Sequence, residues 1–287
     1  MKPISPLIQF LVGLVALTAS VIGLKSQMMI TTPESELPWR VAVINPFAGL
    51  KLEAKAALVY EPDTGRILYA KAEHERLPIA SMTKLMTALT ATELLPDSTV
   101  VPLAARHYRL KDLVALTLVS SSNPGALALA SATADNLGRD LVAEMNTQAH
   151  SLGLNQTTFT NPTGLDLEGG EAGSYSSAYD IARLFTHILT VRPELLAATR
   201  LAEIETGTIE GLRHRFQNTN EIVRDLPGLL GSKTGFTDIA EGSLVIAFDR
   251  GLNQPVVMVV LGSSEQGRFH DIKQLVETTI KSFLPPA

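Results

Sequence analysis

Six consecutive apolar residues near the C-terminal end, Val256-Val257-Met258-Val259-Val260-Leu261, place the strongest constraint on the fold. A run this short reads as a strand, and its continuity, in place of alternation, requires cover on both faces. It belongs at the centre of a sheet with layers packed above and below. Leu230–Thr234 and Gly242–Asp249 read as further strands, preceded by Leu201–Thr206 and Arg213–Asn218. Far upstream, Ala56–Glu61 and Arg66–Ala70 flank Pro-Asp-Thr-Gly, which is hairpin-turn chemistry. Between these ends the spacing predicts helices at Ser81–Leu94, Leu110–Val119, Gly125–Ala134, Arg139–Leu152 and Ser177–Thr190, with an amphipathic one at Phe269–Phe283. Strands at both ends of a helical middle imply an α+β fold. The N-terminal hairpin must join the C-terminal strands in one antiparallel sheet, with a helical region inserted.

At 287 residues and 45% hydrophobic, the chain has enough apolar material for a substantial core. The net charge is -5 without a basic block, which argues against nucleic acid as a partner. The absence of cysteine excludes disulfides, thiolate metal sites and a cysteine nucleophile. From Pro6 to Leu24 the chain carries no ionisable group, with Lys2 before and Lys25 after. At about 1.5 Å per residue in a helix, this run spans most of a ~30 Å hydrocarbon core. No small-residue cleavage pattern follows Leu24, so an uncleaved membrane anchor is expected over residues 1–25; cleavage would make the protein secreted. Residues 26–50 are punctuated by proline and read as a linker, and residues 51–287 as the catalytic unit.

Three short constellations carry chemistry. Ser81-Met82-Thr83-Lys84 lies where the first helical pattern begins. Residues three apart share a helix face, so the Lys84 amine falls beside the Ser81 hydroxyl, and a serine needs such a base to act as a nucleophile. A lysine serves as that base when desolvation or a second cation keeps it neutral. By itself Ser81 reads equally as a helix cap. Ser121-Ser122-Asn123 separates two helical patterns, which taken alone is turn or capping chemistry. Lys233-Thr234-Gly235 sits on a strand, where the glycine allows close approach of another backbone and an open edge accepts an extended peptide. An edge lysine followed by a turn glycine explains the same residues without a ligand.

Together and in this order, Ser-x-x-Lys, Ser-x-Asn and Lys-Thr-Gly form a set that resembles the penicillin-binding proteins and serine β-lactamases. PIASMTKLMTAL around Ser81, NPTGLD from Asn161, YSSAYDIARL from Tyr175 and GSKTGFTD before the last strands extend the likeness to the low-molecular-mass D-alanyl-D-alanine carboxypeptidases. The resemblance covers about Ala56 to Phe283. It implies an antiparallel sheet flanked by helices, an all-helical lobe, and a site between them. It implies that Ser81 is acylated, Lys84 is its base, and Ser121 passes a proton to the leaving amine. Asn123 would hold the substrate amide, Lys233 would supply positive potential that keeps Lys84 neutral, and Thr234 would bind the terminal carboxylate. Gly235 would leave room for the substrate, the Ser81 and Phe236 amides would form the oxyanion hole, and Arg268 would help anchor the carboxylate. The implied partners are a peptidoglycan stem peptide and β-lactam inhibitors, at the extracytoplasmic face of a bacterial membrane, with no metal or organic cofactor required.

The chain departs from that family in three ways. Only 36 residues separate Lys84 from Ser121, which shortens the helical lobe. Pro124-Gly125 follows Ser-x-Asn where Asp-Ala is usual, and an N-terminal anchor would be expected to substitute for the C-terminal one of many relatives. The competing readings are a D,D-endopeptidase, a class A-type β-lactamase, a non-catalytic wall-peptide binder, and an esterase or D-amino-acid amidase. A β-lactamase of that class needs a carboxylate to activate its deacylating water, and the stretch Thr157–Gly164 has none.

Overall fold

The computed structural model describes residues 45–283, so the run Pro6–Leu24 and most of the segment read as a linker lie outside it. Strands β1 (Ala56–Glu61) and β2 (Arg66–Lys71) form the expected hairpin, with the Gly65 amide donating to the Glu61 carbonyl at 2.9 Å. A short strand β3 (Leu77–Pro78) and one 3-10 turn, Ala80–Met82, lead into helix α1 (Thr83–Leu94). A small hairpin of β4 (Val100–Leu103) and β5 (Arg106–Arg109) precedes helices α2 (Leu110–Val119), α3 (Asn123–Leu137) and α4 (Leu141–Ser151). Strands β6 (Thr158–Phe159) and β7 (Ser174–Ser176) pair with β3 in a separate three-stranded sheet. Helices α5 (Ala178–Val191) and α6 (Glu194–Ala197) and the hairpin β8 (Glu203–Gly207)–β9 (Arg213–Gln217) follow. The chain closes with β10 (Leu229–Thr237), β11 (Glu241–Asp249), β12 (Pro255–Ser263) and α7 (Gly267–Ser282).

The main sheet runs β10-β11-β12-β1-β2, all antiparallel, so the N-terminal hairpin does join the C-terminal strands. β12 is its central strand, and the period of two sends alternate side chains to opposite layers. Val257, Val259 and Leu261 enter the core shared with the helical lobe. Val256, Met258 and Val260 enter a second core under α7, with Phe269, Ile272 and Leu275. Each side chain buried this way contributes roughly 1.5–3 kcal/mol. In the lobe, α1 is buried on every side from Thr83 to Thr92, which is why its sequence lacks a clean polar face.

The structure differs from the sequence reading at several edges. α3 begins at Asn123 rather than Gly125, because Pro124 fits a first helical turn and Ser122 Oγ caps it by accepting from the Gly125 amide at 3.0 Å. The β4–β5 hairpin and α6 carry no clear periodicity and escaped prediction. Phe47, inside the segment read as linker, is buried with its ring 5.5 Å from that of Tyr69. The packed unit therefore extends upstream of residue 51, to Asn45. Among the described residues no helix is long and apolar enough to cross a membrane.

Candidate active site

Ser81 sits in the 3-10 turn just before α1, and Ala80 beside it has a positive φ of 46°. This bend places Ser81 at the mouth of the lobe while Lys84, one turn on, points back from inside it. Lys84 Nζ lies 2.7 Å from Ser81 Oγ and donates to the Thr163 carbonyl at 2.7 Å. The side chain of Lys84 has no exposed surface, and burial lowers its pKa from 10.5 to about 7.

The second motif approaches across the site. Ser121 lies between α2 and α3 with φ of 55°, a strained conformation for a residue with a side chain. Its Oγ accepts from Lys233 Nζ at 2.8 Å, and Lys233 Nζ also donates to the Thr234 carbonyl at 2.8 Å. Lys233 is fully buried, so its pKa is pushed well below the lysine range, first by desolvation and then by repulsion from Lys84 and Arg268. Burial is the largest cause of the lowered Lys84 pKa, and the charge of Lys233, where present, acts in the same direction. The repulsion is reciprocal, so a proton on either amine drives the other toward neutrality. Asn123, in the first turn of α3, keeps its Oδ1 buried without a protein partner among the described residues.

The third motif lies on β10, the edge strand of the main sheet. A Cβ on Gly235 would come within 2.7 Å of the Ile79 carbonyl oxygen and 3.4 Å of the Ser81 amide nitrogen. Glycine there lets the strand run directly beside Ser81. Phe236 is half exposed at the rim. Arg268, in the first turn of α7, is buried and donates to the Gly235 carbonyl at 2.8 Å, so its contact is with the strand backbone. Its guanidinium carries a pKa lowered by desolvation and leaves Nε without a partner. Direct contacts thus join Ser81 to Lys84, Ser121 to Lys233 and Gly235 to Arg268, and Gly235 lies against Ser81, with Asn123, Thr234 and Phe236 within two positions of these residues in the chain.

Three contributors escaped the sequence reading. Thr163 acts through its backbone carbonyl, which no residue type advertises. Asn161 shapes that loop, its Oδ1 accepting from the Thr163 amide at 3.0 Å, the Thr163 hydroxyl at 2.8 Å and the Gly164 amide at 2.7 Å. An Asn-Pro-Thr-Gly run is the signal for such a turn. Thr219, in the loop after β9, brings its hydroxyl to 2.6 Å from that of Thr234.

Residues 42–100 and 89–265 match the family described as D-alanyl-D-alanine carboxypeptidase. A D-alanyl-D-alanine carboxypeptidase, DacF, of Bacillus subtilis is 34% identical over 239 residues, covering 74% of this chain and 58% of that protein. The chain thus spans little more than half the length of that relative. A D-alanyl-D-alanine endopeptidase of Pseudomonas aeruginosa is 31% identical over 246 residues, covering 75% and 74% of the two chains. Among solved structures, the ampicillin-bound form of penicillin-binding protein D2 from Listeria monocytogenes superposes with a TM-score of 0.71 at 31% identity. That match covers 80% of this chain and 98% of the other.

Proposed function

Because the chain belongs to the D-alanyl-D-alanine carboxypeptidase family, we propose that it removes the terminal D-alanine from peptidoglycan stem peptides through a Ser81 acyl-enzyme. The observation that carries this reading is the 2.7 Å approach of a fully buried, readily neutral amine, Lys84, to the Ser81 hydroxyl. The neutral amine gives one N–H to Thr163 O and turns its lone pair to the Ser81 proton. Ser81 Oγ then attacks the carbonyl of the penultimate D-alanine, and the amides of Ser81 and Phe236 receive the oxyanion. The amine of the terminal D-alanine leaves with a proton delivered through Ser121, which Lys233 holds at 2.8 Å. Water then attacks the ester and releases Ser81 and the shortened peptide. Asn123 Oδ1 accepts a substrate N–H, and Thr234 faces the terminal carboxylate.

The polar group that accepts from Lys84 opposite Ser81 is a carbonyl, Thr163 O, which cannot take a proton from water. A β-lactam acyl-enzyme, whose leaving amine stays tethered and which finds no carboxylate in Thr157–Gly164 to activate water, would turn over slowly. Incubation with a fluorescent penicillin should give a long-lived adduct in wild type and none in Ser81→Ala or Lys84→Ala. Rapid hydrolytic turnover of the penicillin would sink the carboxypeptidase reading. The endopeptidase named among the relatives makes cleavage of cross-linked peptides the second reading. Digestion of linear and cross-linked muropeptides side by side separates the two. The run Pro6–Leu24 would hold the catalytic unit at the outer face of the cytoplasmic membrane, a reading supported by its length and lack of charge. Protease accessibility in intact spheroplasts tests it.

A further inference from the structure

Thr219 is held on three sides. Before it, the Asn218 side-chain amide donates to the carbonyls of Thr199 at 3.0 Å and Leu201 at 2.8 Å. After it, the Asn220 amide donates to Asn218 Oδ1 at 2.8 Å and Asn220 Oδ1 accepts from the Ile222 amide at 3.2 Å. Its own amide donates at 3.1 Å to the carbonyl of Val119, the last residue of α2 and two positions before Ser121. A loop this fixed aims one hydroxyl at one target, the Thr234 hydroxyl 2.6 Å away.

The distances favour one arrangement of the two hydroxyl hydrogens. Thr219 Oγ1 has one hydrogen and two possible acceptors, Val119 O at 3.5 Å and Thr234 Oγ1 at 2.6 Å. The first is at the outer limit for a hydroxyl bond and the carbonyl already takes the Thr219 amide. The shorter contact favours assigning the Thr219 hydrogen to Thr234. With one lone pair engaged, the Thr234 O–H is free to point away, and donation in series strengthens it as a donor. The reverse arrangement would present only lone pairs to an incoming anion.

We infer that Thr219 is a positioning residue that fixes the Thr234 hydroxyl as a donor, and so sets the preference for substrates ending in a free carboxylate. The inference rests on the proposed carboxypeptidase reading, in which Thr234 meets that carboxylate. It gives Thr219 a role that Ser121, Lys233 and Thr234 do not share, since Thr219 touches substrate only through Thr234.

The test uses the full chain, with Thr219→Val and Thr219→Ser beside wild type, and two acyl donors ending in D-Ala-D-Ala. One donor has the free acid and the other the carboxamide. Wild type should favour the acid, and Thr219→Val should shrink the acid-over-amide ratio of kcat/KM roughly tenfold, mainly by raising KM for the acid, as expected for one charge-assisted bond. Thr219→Ser should restore the ratio. A Thr219→Val variant that keeps the wild-type ratio, or loses both activities in proportion, overturns the inference and leaves the carboxypeptidase reading standing. A wild type that acylates with neither donor overturns that reading and the inference with it.

Discussion

Lys84 has no exposed surface, yet in the proposed mechanism its amine exchanges a proton with Ser81, 2.7 Å away. Between pH 7 and 10.5 the unfolded chain binds a proton at this lysine that the folded one does not, so stability rises with pH across that window. At about 1.4 kcal/mol per unit, a shift from 10.5 to about 7 costs the fold roughly 5 kcal/mol at neutral pH and below. Lys84→Met should therefore abolish acylation and raise stability, by about 2 kcal/mol once the orphaned Thr163 carbonyl is set against the gain. Urea unfolding at pH 7 reads the difference, and a less stable variant would refute the burial account. The same shift fixes the catalytic pH profile: acylation should fall about tenfold per unit below pH 7 and level off above it. The side chains proposed for catalysis were legible in the sequence because their chemistry resides in residue type and spacing. Thr163 was not, because a carbonyl belongs to every residue.

Helices showed plainly in the sequence and their junctions did not. Leu110–Val119 was predicted to the residue, whereas α3 starts two residues early because Pro124 fits its first turn and Ser122 caps it. At this junction a Cβ on Gly125 would overlap the Thr117 Oγ1 of α2, an atom that is itself buried without a partner. The glycine is what lets the two helices converge with Ser121 and Asn123 between them. Gly125→Ala should cost about 1–3 kcal/mol and slow acylation, because the start of α3 must shift and carry Asn123 with it. Thr117→Ala in the same chain removes the obstructing atom and should recover most of both losses. A double-mutant cycle measures this as a coupling of about 1 kcal/mol or more. Additive effects would show that the contact does not set the position of Asn123.

At the scale of the molecule, the sequence predicted that distant strands must meet, and β1 pairs with β12 through Ala56 and Leu261. It gave no sign of what locks that closure, because the lock is one buried polar group with partners far away in the chain. The Asp271 carboxylate, on α7, accepts from the Glu53 amide at 3.0 Å, the Ala54 amide at 2.8 Å and the Ser263 hydroxyl at 2.8 Å. It thereby ties the residues before β1, the end of β12 and the covering helix to one point that has no exposed surface. Arg268 lies three positions earlier on the same helix and holds the Gly235 carbonyl at 2.8 Å, so the closure and the edge strand of the site share an anchor. Asp271→Ala leaves the inward-facing Ala54 amide and the Ser263 hydroxyl unpaired, for a loss of about 3 kcal/mol or more. At 2–4 °C per kcal/mol for a domain of this size, Tm should drop by roughly 6–12 °C. Acylation by penicillin should slow as well, because α7 can then shift and release Gly235 beside Ser81. A variant that melts lower but acylates at the wild-type rate would confine Asp271 to holding the fold. One that melts within about 2 °C of wild type would show that the packing of α7 on the sheet closes the molecule without it.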